Sequence, residues 1–176
     1  MTARMWAVIA VLVVAAAVVV GVVVLSEGRD EGGGNWSIED AREFDEFTLF
    51  WLGEEHQGLP LTDIIYAQGE NVVIFIYGTC KPSSDSGCAP PLSLRIEPCT
   101  QSPPGRYASL PGAETAFEVR GAEAQFAGHL RLWTRDVTLT IFAERGSAEK
   151  AVAALRTVAE GAEGVATPLG PATYPC

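Results

Sequence analysis

Val72-Val73-Ile74-Phe75-Ile76-Tyr77 is an unbroken apolar run with turn-forming residues on both sides. A strand with one wet face alternates apolar and polar side chains, so a run apolar at every position belongs inside a sheet, covered on both faces. Its shortness and its β-branched and aromatic content favour a strand over a helix. Working outward, Thr62 to Ala67 carries a second strand signal, and Gln68-Gly69-Glu70-Asn71 between the two reads as a hairpin loop. On the other side, Leu92-Ser93-Leu94-Arg95-Ile96-Glu97 alternates without a break. That pattern predicts a neighbouring antiparallel strand with one face in water.

The rest of the domain follows from the same two periodicities. Thr48 to Leu52 is an aromatic-rich strand signal ended by Gly53, Ala116 to Arg120 is a further strand, and Leu130 to Thr134 with Val137 to Ala143 form a hairpin around Arg135-Asp136. Ser37 opens a short helix, with Asp40 at the third position as a variant capping box. Ser147 is placed to cap a second helix, Ala148 to Ala159, whose Ala151, Val152, Leu155, Val158 and Ala159 make one apolar stripe, with Gly161 as its stop. A helix with one apolar face needs a sheet to cover. The expected fold is α+β, a mainly antiparallel sheet with a C-terminal helix packed on one face, in a single domain over residues 36–176. The tail from Gly164 to Cys176, with Pro168, Pro171 and Pro175, reads as an extended segment that something must pin.

Cys80, Cys88, Cys99 and Cys176 are an even set without the paired C-x-x-C spacing of a zinc or thioredoxin-like redox site, so two structural disulfides are expected. If Val72 to Tyr77 and Leu92 to Glu97 are antiparallel neighbours, Cys80 and Cys88 lie at the same end of the pair. Cys99 then lies past the other end, roughly 20 Å away at about 3.3 Å per residue. A disulfide needs its Cα atoms within about 7 Å. The expected bonds are Cys80 to Cys88 and Cys99 to Cys176.

Ahead of the domain, Trp6 to Leu25 is free of charge and proline and rich in Val and Ala. At about 1.5 Å per residue it spans the roughly 30 Å of a bilayer core, which predicts an N-terminal transmembrane helix after a cytoplasmic tip at residues 1–5. A cleavable signal peptide is the rival reading, but cutting after Ala15-Ala16-Ala17 leaves an apolar new terminus. Arg4 precedes the stretch, and Glu27, Asp30 and Glu31 outnumber Arg29 after it, so the domain is expected outside the plasma membrane, single-pass, with the N-terminus in the cytoplasm. Residues 26–35, with four Gly, form a flexible linker with a reach of roughly 15 to 20 Å. Arg4 is the only charged side chain before Ser26, so the remainder holds all 22 acids of the chain against 11 of its 12 bases. Such a domain repels nucleic acid and anionic headgroups, and neither is expected as a partner.

Chemistry-bearing motifs are sparse. No G-x-S-x-G, H-E-x-x-H or phosphate-binding glycine loop occurs, and no cofactor or metal site is expected. His56 and His129 are the only histidines; Glu54, His56 and Asp63 are the groups from which an extracytoplasmic enzyme site would be assembled. Seven of the eleven prolines fall between Gly78 and Gly112, around the cysteines. Phe50-Trp51-Leu52-Gly53, Gly58-Leu59-Pro60-Leu61-Thr62, Tyr77-Gly78-x-Cys80 and Gly87-Cys88-x-Pro90-Pro91-Leu92 resemble segments of small membrane-anchored proteins of high-GC bacteria that have no assigned activity. The resemblance covers Phe44 to Cys99 and, more loosely, the C-terminal strands and helix. It implies an envelope protein, carries no catalytic residue, and directs attention to Trp51, Leu59 and Pro60. Together with Pro90 and Pro91 these are the candidate binding loops of a non-catalytic module for an envelope protein or glycan, since rigidly mounted loops usually carry recognition.

Overall fold

A computed structural model describes residues 34–80, 88–99, 115–160 and 168–173. In chain order these form β1 (Gly34–Asn35), α1 (Ile38–Glu43), β2 (Phe50–Trp51), β3 (Glu55–His56), β4 (Leu59–Ala67), β5 (Val72–Tyr77) and β6 (Leu92–Pro98). Then come β7 (Phe117–Val119), β8 (Ala122–Phe126), β9 (Leu130–Thr134), β10 (Val137–Phe142), α2 (Arg145–Ala154) and β11 (Arg156–Thr157), followed by a 3-10 turn at Val158–Glu160.

One long sheet runs β1-β4-β5-β6-β10-β9-β8-β7, each neighbour antiparallel, and β3 folds back on β4. The apolar run of β5 lies between β4 and β6, with Val73 opposite Ile96 and Tyr77 opposite Leu92. Directly opposed residues share a face, so Val73, Ile96, Leu139, Leu132 and Ala124 form one row across the sheet, and Phe75, Leu94, Ile141 and Leu130 the next. Both rows are buried. Phe47, Phe50, Leu52, Ala148, Val152, Leu155 and Leu169 belong to the same core cluster.

The opposite face departs from expectation. The alternation of β6 predicts a wet row, yet Ser93 is buried and Arg95 and Glu97 are half-buried, the guanidinium reaching Glu97 at 3.2 Å and Glu70 at 3.4 Å. Val72, Ile76, Trp133, Thr138 and Thr140 on that face are buried as well.

The fold class is mainly β, which corrects the α+β expectation. Among the described residues two helices of six and ten residues stand against eleven strands, and no helix there is long and apolar enough to cross a membrane. The stretch at residues 6–25, read as a transmembrane helix, lies outside the described residues. The sheet also begins earlier than expected. Gly34 and Asn35, assigned to the linker, pair with Tyr66 and Ile65.

α1 forms as its capping box requires: Ser37 Oγ accepts from the Asp40 amide at 3.2 Å, and Asp40 Oδ2 accepts from the Ser37 amide at 2.7 Å. α2 does not. It starts at Arg145 after Glu144, with no side-chain cap, and stops at Ala154 rather than running to Ala159. Leu155 turns extended so that Arg156 and Thr157 can pair with Trp51 and Phe50. The apolar stripe survives this change, because Ala151, Val152, Leu155 and Val158 are buried, while Ala159 is exposed. The released helix end is capped from a distance by Arg120, whose Nη1 donates to the carbonyls of Val152 at 2.6 Å and Leu155 at 3.0 Å.

Candidate functional site

The loops singled out by sequence meet at one end of the sheet. Gly78 leaves β5 with φ +104°, a region open to glycine. A Cβ built there would fall 2.7 Å from Pro91 Cγ and 3.7 Å from Leu59 Cδ2. The Gly78 amide donates to the Pro60 carbonyl at 2.8 Å, and its carbonyl accepts from Thr62 Oγ1 at 2.8 Å. Gly78 is thus the floor on which the Leu59-Pro60 and Pro90-Pro91 segments converge. Two residues further on, Cys80 forms a disulfide with Cys88, their Cα atoms 6.0 Å apart. Pro60 and Pro91 are exposed, Leu59 and Pro90 half-buried.

Trp51 is not part of this surface. It is 0 % exposed, a core residue of β2 opposite Arg156, and its indole N–H has no hydrogen-bond partner. Three of its neighbours in chain order, Phe50, Leu52 and Gly53, are buried beside it. The Leu52 amide donates to Tyr77 Oη at 2.9 Å, and that hydroxyl donates to the Gly53 carbonyl at 3.2 Å. Burial raises the Tyr77 phenol far above its usual range. This tyrosine is a structural tie.

The groups proposed for an enzyme are not assembled. His56 lies opposite Leu59, on the face that carries Leu61 and Tyr77, whereas Asp63 lies opposite Ile76, on the other face. The register shift between Leu61 and Asp63 causes the separation, since one extra residue flips the side chains that follow it. The His56 ring contacts the Gln57 side chain at 2.6 Å, and burial together with the nearby Arg156 charge holds its pKa below the ordinary imidazole range. Glu54 is exposed and contributes its backbone carbonyl to the Leu61 amide at 2.8 Å. His129 packs against Phe142 at 5.1 Å, its pKa lowered by burial and by Arg131. Among the described residues no three of His, Cys, Asp and Glu gather as metal ligands.

A second surface escaped the sequence reading. At the far edge of the sheet an open groove of about 400 Å³ is lined by Ala116, Phe117 and Glu118, by Gly121 and Glu123 across the turn, and by Pro171 and Ala172 of the tail. The tail is held there by backbone. The Gly170 amide donates to Arg120, the Arg135 amide to Pro171, and the Thr173 amide to Arg135. Thr134 Oγ1 donates to the Leu169 carbonyl, and Leu169 is buried. Close approach requires glycine, because a Cβ on Gly121 would sit 3.3 Å from Gly170 Cα. Strand β8, Ala-Glu-Ala-Gln-Phe, carries too little apolar bulk to announce itself. The Arg120-Gly121 pair, both at positive φ, is the signal that marks its hairpin.

Cys99 is disulfide-bonded, and its amide donates to the Asp136 carbonyl at 2.7 Å, at the opposite end of β6 from Cys88. Cys176, expected as its partner, lies outside the described residues. Compared with known protein families, curated proteins and solved structures, the chain matches none.

Proposed function

We propose that the chain is a non-catalytic binding module displayed on the outer side of a plasma membrane, and that its partner is an envelope protein docking on Leu59, Pro60 and Pro91. The observation that carries this reading is the convergence of those residues over Gly78, braced by the Cys80–Cys88 disulfide. Proline rings and a short disulfide loop lose little conformational freedom on binding, which suits a recognition surface. A protein is favoured over a glycan because Trp51, the aromatic platform available for stacking on a sugar, is buried. An oxidising compartment is favoured by the disulfides, and the charge asymmetry about the apolar stretch at residues 6–25 favours the outer side.

Two measurements test it. A photo-crosslinking residue in place of Pro60, in cells, is expected to give an adduct of discrete mass that is lost when Leu59→Ser and Pro91→Ser are added. The same probe at Gln68, in the loop at the other end of β5, is expected to give none. No adduct, or the same adduct from both positions, overturns the docking surface. Protease added to intact spheroplasts is expected to remove the domain; digestion only after lysis overturns the location.

A further inference from the structure

The edge of the sheet at β7 has the chemistry of a strand acceptor. β7 is the last strand in the order, and no strand among the described residues lies against its outer side. Its register assigns the direction of its backbone groups. Arg120 and Gly121, at φ +51° and +81°, make a two-residue hairpin, so the flanking pair Val119 and Ala122 is hydrogen-bonded and the next pair, Glu118 and Glu123, is not. The N–H and C=O of Glu118 therefore point away from β8, as do those of Ala116 two residues before it. An unpaired row of this kind is a template for another chain, and proteins usually cover or blunt it. Here Ala116, Phe117 and Glu118 are exposed, Phe117 by 41 %.

The side chains define the occupant. Glu118 and Glu123 face each other directly in the closer, non-hydrogen-bonded type of pair, where like charges destabilise. Neither has an ion pair or hydrogen bond among the described residues. Phe117 stands on the opposite face from the two carboxylates, and Pro171 of the tail lines the same groove. A second copy of this acidic chain pairing edge to edge would crowd four carboxylates together and is disfavoured. We propose that the outer edge of β7 accepts an extended cationic segment of a partner protein as an added antiparallel strand. The segment's backbone pairs with Ala116 and Glu118, alternate Lys or Arg side chains lie against Glu118 and Glu123, and the apolar residues between them cover Phe117. This surface is at the other end of the strands from the Cys80–Cys88 disulfide, and it stands whether or not the docking surface there does.

The test is fluorescence anisotropy with the full chain in non-ionic detergent and a labelled, end-capped Lys-Val-Lys-Val-Lys-Val peptide. Binding is expected to weaken about tenfold when the peptide amides on its pairing edge are N-methylated, a change that leaves the protein and all charges untouched. It is expected to weaken about tenfold, and to lose most of its salt dependence, in the double variant Glu118→Gln with Glu123→Gln. Ala116→Pro removes an outward N–H that serves no bond in the fold, and is expected to weaken binding without lowering Tm. Equal binding of the N-methylated peptide, equal binding of a Glu-Val counterpart, or no binding at millimolar peptide overturns the proposal.

Discussion

At the scale of the residue, one glycine and two histidines make the sharpest statements. Gly78 combines a positive φ with Pro91 packed where a side chain would begin. Gly78→Ala is expected to cost about 1–3 kcal/mol from the backbone alone, with more from displacing the proline ring, and a urea melt measures it. The neighbouring Gly58, also at positive φ but with open space around it, should lose only the backbone part when changed to Ala. His56 and His129 titrate below the ordinary range, because burial first, and Arg156 or Arg131 second, penalise the imidazolium. The unfolded chain then binds more protons than the folded one below about pH 6.5, so stability is complete above that pH and falls as pH drops toward the folded values. Urea midpoints between pH 7.5 and 5.5 are expected to decline. The double variant His56→Gln with His129→Gln is expected to flatten the decline. Asp40, whose carboxyl is held low by its hydrogen bonds to Ser37, acts only below about pH 4 and does not overlap this window.

At the scale of the element, α2 shows how far periodicity carries. Leu155 is 0 % exposed and Lys150 is exposed, so Leu155→Ala should cost about 2–5 kcal/mol and Lys150→Ala close to nothing. Comparable losses at both positions would mean that the stripe does not face the sheet. The helix end supplies a second prediction. Arg120 donates to two carbonyls at this end; Val152 also accepts from the Leu155 amide, so Arg120→Ala leaves the Leu155 carbonyl without its donor. Hydrogen bonds to a charged donor are worth about 1.5–3 kcal/mol, so the variant should lose an amount of that order, read as faster amide exchange at the C-terminal turn of α2. Strand β5 stands at the other extreme. Its neighbours, its hairpin loop and its burial on both faces all follow from six consecutive apolar residues, because a strand so built has nowhere else to be.

At the scale of the whole molecule, the ends of the strands are fastened differently. The Cys80–Cys88 bond closes a ring of nine residues two positions after Gly78, whose own hydrogen bonds to Pro60 and Thr62 hold that end of β5 to β4. At the opposite end the Cys99 and Thr173 amides both donate into the Arg135-Asp136 turn, bringing the tail to the strand end that carries the disulfide-bonded Cys99. A bond from Cys99 to Cys176 would close a ring several times longer, and loop entropy gives it roughly 4.5 kcal/mol against roughly 2.6 kcal/mol for the small ring, both upper-end values. Cys99→Ser is therefore expected to lower Tm more than Cys88→Ser. Peptide mapping without reduction should recover Cys99 joined to Cys176, and recovery of any other Cys99 pair overturns the assignment.

The sequence by itself determined what rests on neighbours in the chain. The β4–β5 and β9–β10 hairpins, the Ser37 capping box and the pairing of Cys80 with Cys88 each depend on residues within one turn or one short loop, where spacing alone limits the geometry. Tertiary structure decided what rests on distant partners. Trp51 reads as an exposed recognition residue until β2 is seen paired with β11, and α2 reads as running to Ala159 until the same pairing pulls Arg156 and Thr157 out of it. The Thr48 amide bonds the Asp136 carboxylate across 88 residues, and the groove at β7 exists only because Gly170 reaches Arg120. His56 and Asp63 look adjacent in sequence, yet one irregularity in β4 sends them to opposite faces. Local pattern cannot specify these outcomes, because the free energy that selects them comes from burying one segment against another far along the chain.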